Sequence, residues 1–479
     1  MGQRISLEKL ENRLLLSVAD IPNDEQQTLE LINRMRQNPA AELPLLENST
    51  DPNVQAAFSF FHVNLATLAN QWARLTPAPP LAFNSILYGT ALAHDQLMLS
   101  NNTQSHQIGS EPVLQDRISA AGYSDYSSLR ESVYSYATSV FDAHAAFAVD
   151  WGNTSTGIQK GHGHRDNIMA PDVREIGIAA LPGSGNGDGS NVGPILFTED
   201  FGAHFSQTTP FLLGSVFNDA NADGFYTAGE GMSGVTVKIT GTGGTISTTT
   251  LSTGAYQVQT PAGTYAIKFS HGGLAHPFMI SNVVVGSDNV QLDATPADVF
   301  ANVANNVLTV QGTANADTIT ATESAGNIIV SLNNLSETIS ATGLTKIVLR
   351  GAAGRDSLEV DNSVLLPASI VGGNGGDTLQ AGSTPATLQG SGGSDSLIGG
   401  SAADSLDGGN GNDTLIAGNG GDTLSAGIGN NHLVGGAGND LFFAQNSSPD
   451  TITGGGGSDT LFGDKTLDSI TGVGNLTLT

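Results

Sequence analysis

The chain has 479 residues, with 17 Lys and Arg against 45 Asp and Glu, for a formal net charge of −28. A length of that order holds about three domains. So acidic a balance argues against nucleic acid or an anionic membrane as partner, because no basic surface is there to release counterions. Cysteine is absent, which removes disulfides, thiolate metal sites and cysteine nucleophiles. Multivalent cations are the partners that the charge calls for. Apolar residues make up 39%, enough for packed cores, and the 61 glycines are unevenly spread.

The first residues, Met1 to Asp20, mix Arg4, Lys9 and Arg13 with Glu8 and Glu11 before Leu14-Leu15-Leu16. That run is too short to span a membrane, which takes about 20 apolar residues, and no stretch near the C-terminus reads as an anchor. Leu10-Glu-Asn-Arg13-Leu-Leu-Leu-Ser17 resembles an N-terminal segment of exported bacterial proteins, so residues 1–23 are expected to serve export or sorting. From Asp24 to about Gly202 the pattern is mainly helical. Asp24 opens a helix with Leu29, Ile32 and Met35 on one face, and Asn38-Pro39 stops it. Phe58, Phe61, Leu65, Leu68, Trp72 and Leu75 recur at spacings of three and four and predict a second helix, ended by Thr76-Pro77-Ala78-Pro79-Pro80. A third runs from Asn84 to Ser100. Glu175–Leu181 and Pro194–Phe197 read as strands around a Gly-rich loop, which makes this domain α/β or α+β.

Residues 210–297 switch to short Val-, Thr- and Ile-rich strands, at 234–240, 255–258 and 264–269, the mark of a small β-sandwich. Residues 298–355 continue as β, with strands at 306–310 and 327–332. From about 356 the chain repeats. Leucine stands at 379, 388, 397, 406, 415, 424 and 433, nine residues apart, with Phe442, Ile452 and Leu461 in the places that follow. A fixed period of nine means a solenoid. Between Asp356 and Asp464 there is no Lys or Arg, against 13 Asp and Glu. Like charges stacked about 5 Å apart repel, so cations are expected between them.

Gly372-Gly-Asn-Gly-Gly-Asp377, Gly408-Gly-Asn-Gly-Asn-Asp413, Gly435-Gly-Ala-Gly-Asn-Asp440 and Gly454-Gly-Gly-Gly-Ser-Asp459 fit G-G-x-G-x-D-x-U-x. Glycines allow tight turns with exposed carbonyls, Asp supplies a hard oxygen, and the apolar residue is buried in the coil. The block resembles the RTX (hemolysin-type) repeats, which implies a parallel β-roll that binds Ca²⁺ between turns 18 residues apart. This groups Asp377, Asp395 and Asp413 on one side and Asp404, Asp422 and Asp440 on the other, with Asp459 further along. Ala386 and Asn431 interrupt the pattern.

A second calcium loop lies in the β module. Asp219, Asn221, Asp223, Gly224 and Glu230 meet D-x-[DN]-x-[DN]-G-x₅-E, with Phe225 in the seventh place, where the ligand is a backbone carbonyl. No helix flanks it. With Gly214–Asn218 before it and Gly234–Val237 after, the stretch resembles the SD-repeat B-type (Cna-B-like) modules of surface adhesins, which implies a stiffening spacer.

The chemistry of the N-terminal domain lies in Asn102–His106, Asp116–Tyr123, Glu131-Ser-Val, Asp150-Trp151, Gly163-His164-Arg165-Asp-Asn167-Ile168 and Thr198–Gly202. This order resembles the CAP superfamily (cysteine-rich secretory, antigen 5 and pathogenesis-related proteins), over about 24–205 with an insert near 41–75. The resemblance implies an α-β-α sandwich whose cleft is faced by His106, His164, Glu131 and a second acid. After Trp151, where that acid is expected, stand Gly152, Asn153 and Thr154; Asp150 is the nearest substitute. Two imidazoles and a carboxylate can bind Zn²⁺, act as acid and base, or simply hold helices together. His94 is expected to pack, and Glu175 to orient its strand. No G-x-S-x-G, H-E-x-x-H or P-loop occurs.

Together these readings give a multidomain chain: an export segment (1–23), a CAP-like α-β-α head (24–206), a small Cna-B-like β-sandwich with a calcium loop (210–297), a β-rich linker region (298–355) and a parallel β-roll (356–479). The expected role is a secreted or cell-surface calcium-binding protein whose head binds a lipid, peptide or glycan and whose repeats stabilise and attach. The alternative is a metal-dependent hydrolase using His106, His164 and Glu131.

Overall fold

The computed structural model describes residues 20–186, 191–206, 208–221, 223–241, 244–274, 277–296, 300–464, 467–472 and 475–478. The proposed export motif at 10–17 lies outside them. The chain divides into two compact units: residues up to Tyr265 together with Val284–Thr295, and Ala266–Val283 together with Pro296–Thr479. The stretch 210–297 therefore contributes to both.

In the first unit, helix α1 (Asn23–Gln37) ends at Asn38, whose side chain caps α2 (Pro39–Glu47) by accepting from Ala41 N. The second predicted helix is broken in two, α3 (Pro52–Phe60) and α4 (Leu65–Trp72). Between them His62 takes φ of 55°, and Asn64 caps the second piece by accepting from Thr67 N. A left-handed residue and a side-chain cap start a new helix whatever the apolar spacing. After β1 (Ala82–Phe83) comes α5 (Ser85–Asn101), over the stretch the sequence predicts, with Asn84 as its cap.

Next follow α6 (Leu114–Ala120), the long strand β2 (Tyr126–Ala137), α7 (Val140–Ala145) and a π-turn (Ala146–Asp150). Helix α8 (Gly163–Ile168) and strands β3 (Glu175–Pro182) and β4 (Ile195–His204) complete the head. The sheet order is β1-β3-β4-β2. Gly177 lets α5 lie close on one face: a Cβ there would come within 2.0 Å of the Leu87 carbonyl carbon. On the other face Ile176, Ile178, Phe197 and Phe201 pack with Ile32, Met35 and Phe147. This is the expected sandwich. The strands foreseen in the β module appear at Val235–Gly241, Ala255–Gln259 and Gly263–His271.

The second unit is a solenoid. One ladder of parallel strands aligns Leu358, Leu379, Leu397, Leu415, Leu433, Ile452 and Ile470. The other aligns Leu349, Ile370, Leu388, Leu406, Leu424, Phe442 and Leu461. Nine residues make half a coil, so alternate leucines point inward from opposite walls and form one core. Glycine is obligatory at some turns: Gly411 has φ of +139°, and a Cβ on it would meet Gly393 O at 1.5 Å. The coil also begins earlier than residue 356. Val307–Gln311 already pairs in parallel with Lys346–Arg350, and Thr318–Ala321 with Ser357–Val360. Residues read as a linker thus run in register with the repeats, carrying hairpins at 318–340.

Candidate functional site

In the head, the two expected histidines each find a carboxylate. Strand alternation sends Glu131 and Ser132 of β2 to opposite faces. Glu131 stands across the ladder from Asp200, where His106 Nδ1 approaches its Oε1 at 2.8 Å and Arg117 of α6 pairs with its other oxygen. His106 stays half-exposed; burial and then the Arg117 charge lower its pKa. On the other face Asn167 of α8 donates to Ser132 Oγ at 3.2 Å and to the Glu131 carbonyl at 2.8 Å.

His164, one turn away on the same helix, has its Nδ1 2.9 Å from Asp150 Oδ1, and its backbone N donates to Asp150 Oδ2. Asp150 is fully buried and sits at φ of 60° at the end of the π-turn. Arg165 holds that turn in place by donating to the carbonyls of Ala148 and Val149, with its guanidinium over the Trp72 ring. The motif Gly-His-Arg-x-Asn is therefore a brace: Arg165 fixes the backbone that carries Asp150, and Asn167 ties the helix to β2. A carboxylate on Nδ1 sets the tautomer and orientation of each imidazole, which suits them to proton transfer or to hydrogen bonding a ligand.

His164 also lines a cleft of about 580 Å³ with Phe60, Phe61, Tyr134, Phe147 and Trp151. The insert near residues 41–75 supplies Phe60 and Phe61. His106 and Glu131 are not among the residues that line this cleft. Among the described residues no group of three or more His, Asp or Glu side chains is placed to hold a metal ion, and nothing supports zinc in the head.

Further polar residues of the head are held in place by one another. Asp200, pushed up to about 7 by burial, accepts from Thr90 Oγ1. Glu111 takes both oxygens to His94 Nδ1, whose Nε2 meets the Ser105 carbonyl. His94 is thus buried and structural, as expected. Glu175 accepts from Asn84 Nδ2 and Tyr123 Oη, again a structural clamp.

The β-module loop is wrapped around its own acceptors. Asp219 accepts from the backbone N–H groups of Asp223 and Gly224, Asp223 from that of Phe225, and Glu230 from those of Ala220 and Thr227. Asn221 donates to Asp223 Oδ2. The Phe225 ring lies under the Arg34 guanidinium at 4.5 Å.

In the solenoid, Asp377, Asp395 and Asp413 stack on one edge and Asp404, Asp422, Asp440 and Asp459 on the other. Asp377 N donates to Asp395 Oδ1 at 2.7 Å, and Asp395 N to Asp413 Oδ1 at 2.8 Å. Ala386 N, Asp404 N, Asp422 N and Asp440 N continue this on the second edge. Each of the seven keeps its Oδ2 buried with no hydrogen-bond partner. The first glycine of the turn makes room for that oxygen: a Cβ on Gly372, Gly390 or Gly435 would lie 2.3, 2.4 or 2.3 Å from it. Burial, then a nearby aspartate, pushes the carboxyls of Asp377, Asp395, Asp404, Asp413, Asp422 and Asp440 above their usual range, Asp404 to about 6. Ala386 brings no carboxylate, and Asn431 turns its Nδ2 to Gly429 O. A row of buried carboxylate oxygens close to glycine carbonyls of the next turn fits a hard, oxygen-seeking cation such as Ca²⁺.

Three family models match successive parts of the chain. The model of the cysteine-rich secretory protein family (CAP) matches residues 29–201. That of the SdrD B-like domain matches 212–325. The RTX calcium-binding nonapeptide repeat matches 386–415, 416–446 and 446–470, which implies calcium binding. A search of curated proteins finds no match. Among solved structures, an extracellular SCP-domain protein of Bacillus anthracis is similar at 18% identity over 31% of this chain and 39% of its own, with a TM-score of 0.20. An outer surface protein of Borrelia burgdorferi is similar at 17% identity over 33% of this chain and 96% of its own, also with a TM-score of 0.20. Likenesses that low carry no weight for this chain. The chain is a modular protein that joins a CAP domain, an SdrD B-like domain and RTX calcium-binding repeats.

Proposed function

We propose that this is a secreted or cell-surface protein in which Ca²⁺ completes the solenoid while the head engages a ligand through its aromatic cleft. The observation that carries the reading is the row of buried, unpartnered Asp Oδ2 atoms on both edges of the coil. A buried carboxylate oxygen without a donor is costly, and a cation between turns removes that cost. Calcium is abundant outside cells, and the SdrD B-like and RTX matches fit such a place. Among the described residues no helix is long and apolar enough to cross a membrane. The loop at Asp219, Asn221, Asp223, Phe225 and Glu230 is proposed as a further calcium site that stiffens the β module.

For the head, Phe60 at 72% exposure on the rim of the cleft is a contact surface in waiting. Lipid, peptide and glycan probes should bind the wild type and lose affinity in Phe60→Ala. A hydrolase reading would rest on His106, Glu131 and His164. The calcium reading is tested by titrating the whole chain and following far-UV CD, with Mg²⁺ as control. A gain of β signal with Ca²⁺ alone is expected; an unchanged spectrum rejects it.

A further inference from the structure

The calcium-facing geometry extends beyond the repeats that the family model matches and beyond the aspartates named from the sequence. Asp356 is 2% exposed and donates its backbone N–H to Asp377 Oδ1 at 2.8 Å, while its own Oδ1 accepts from Asp317 N at 2.8 Å. Its Oδ2 has no partner, as in the seven repeat aspartates. The turn before it, Gly351-Ala-Ala-Gly354-Arg355-Asp356, is built like theirs. A Cβ on Gly351 would lie 2.2 Å from Asp356 Oδ2 and 2.5 Å from Gly372 O. Gly354 has φ of +127°, and its carbonyl stands 1.5 Å from where a Cβ on Gly375 would be, just as the Gly393 carbonyl stands to Gly411.

Other members of the same ladder are different, and the difference defines the site. Asp317 has Oδ2 closed by Thr313 N at 2.6 Å and Thr313 Oγ1 at 3.0 Å, and Oδ1 by Asn333 Nδ2 at 2.8 Å. Asp450 Oδ2 accepts from Asn446 Nδ2 at 2.9 Å, and Asp468 Oδ2 from Asp464 N at 2.7 Å. At Asn431 an amide nitrogen takes the place of the second oxygen. Along this row, where the chain supplies a donor no cation is called for; where it supplies none, an oxygen is left for one.

We propose that the Gly351–Asp356 turn is a further Ca²⁺ site, the first on its edge of the coil, and that Asp317 closes the row with protein donors. This rests on the calcium reading of the repeats and adds a site to it. The sequence conceals it because Asp356 lies 21 residues before Asp377 instead of 18, and because glycine is kept only at the first and fourth places of the turn. Arg355 beside it is exposed, so its charge is held in water.

The test is the calcium stoichiometry of the full chain, measured by equilibrium dialysis and atomic emission. Asp356→Asn and, within the matched repeats, Asp404→Asn should each lower the count by about one ion, while Asp317→Asn leaves it unchanged. Asn is tolerated in this place, as Asn431 demonstrates, so far-UV CD in calcium should show Asp356→Asn folded. A full count in Asp356→Asn alongside a lowered one in Asp404→Asn overturns the site while leaving the calcium reading intact. No loss in either variant overturns both. Anomalous scattering from crystals of the calcium-loaded wild type gives an answer without mutation: a calcium peak between Gly351 and Asp356 supports the site, and its absence beside peaks at the repeat turns rejects it.

Discussion

In the head, Glu131 and Asp150 are buried against partners from the chain itself, His106 and Arg117 for one and His164 for the other. In the solenoid, Asp377, Asp395, Asp404, Asp413, Asp422, Asp440 and Asp459 are buried just as deeply, and each has one oxygen that the chain leaves unpartnered. For Glu131 and Asp150 the charge is thus met from within, whereas the solenoid aspartates are left open to solvent ions. Asp95, Glu199 and Asp200 of the head also bury an oxygen without a partner, and there burial raises the carboxyl and favours its neutral form. The head should therefore hold its fold near neutral pH without a bound ion; the solenoid should depend on the ions that the buffer contains.

The largest effect expected is therefore chelation. With calcium removed near neutral pH, the β signal of residues 300–472 should fall while the head keeps its thermal transition. Each filled site adds RT ln(1 + [Ca²⁺]/Kd), about 2.7 kcal/mol at a hundredfold excess over Kd, so several sites together outweigh the usual stability of a domain of about 5–15 kcal/mol. Two separate transitions in calorimetry, only one of them moved by chelator, would confirm the contrast. A single transition that moves as a whole would break it.

The next effect sharpens the comparison through pH. In the calcium-free chain, burial raises the carboxyls of Asp356, Asp377, Asp395, Asp404, Asp413, Asp422 and Asp440 above their values in the unfolded chain. The folded state then binds more protons than the unfolded one. Stability from these groups is present in acid and is lost as pH rises through their folded values, near 6 for Asp404. With calcium bound the ligands must be ionised, and acid competes with the metal. Melting temperature should thus rise between pH of about 7 and about 4 without calcium and fall over the same range with it. The same slope in both conditions would count against metal ligation by these aspartates.

How much of this the sequence disclosed depends on whether the information is local. The period of nine, the inward leucines and the seven aspartates were legible because each coil repeats the same short pattern, and stacking turns it into a ladder. The start of the coil was not: Asp317, Asp356 and Asp377 are unevenly spaced, and only the parallel pairing of 307–311 with 346–350 shows that they share one register. In the head, Gly-His-Arg-x-Asn was legible as a motif. That Asp150 meets His164 depends on a π-turn and a left-handed backbone, and that Arg117 meets Glu131 depends on the packing of α6 on β2; neither is encoded in residue spacing. The break between α3 and α4 was hidden for the opposite reason, since the apolar rhythm runs straight through His62 while the backbone does not.

A smaller effect separates the roles of the head histidines. His164→Ala removes the partner of a fully buried carboxylate, and a lost charge-assisted hydrogen bond of this kind costs about 1.5–3 kcal/mol. His106 has 62% of its side chain exposed, and Glu131 keeps Arg117, so His106→Ala should change stability by less than about 1 kcal/mol. Equal destabilisation in the two variants would show that the faces of β2 are coupled as one site. A drop confined to His164→Ala would leave His106 free of structural duty, and any loss of ligand binding in His106→Ala would then report on function alone.

The smallest effect belongs to the loop of the β module. Its acceptors already hold the loop's own N–H groups, and its Asn221 and Asp223 are exposed while Asp219 is half-buried. Calcium there adds to a turn that is formed without it, unlike the solenoid, where it meets oxygens with no other partner. A site with the Kd of about 10⁻⁴–10⁻³ M common among extracellular calcium modules, filled at roughly ten times Kd, contributes about 1.4 kcal/mol. Asp223→Ala should remove that increment and shift only the calcium-dependent part of the melting of the first unit. If this variant instead abolished the β signal of the solenoid, the two kinds of calcium site would be one cooperative system, and the distinction between a preformed loop and a metal-completed coil would fail.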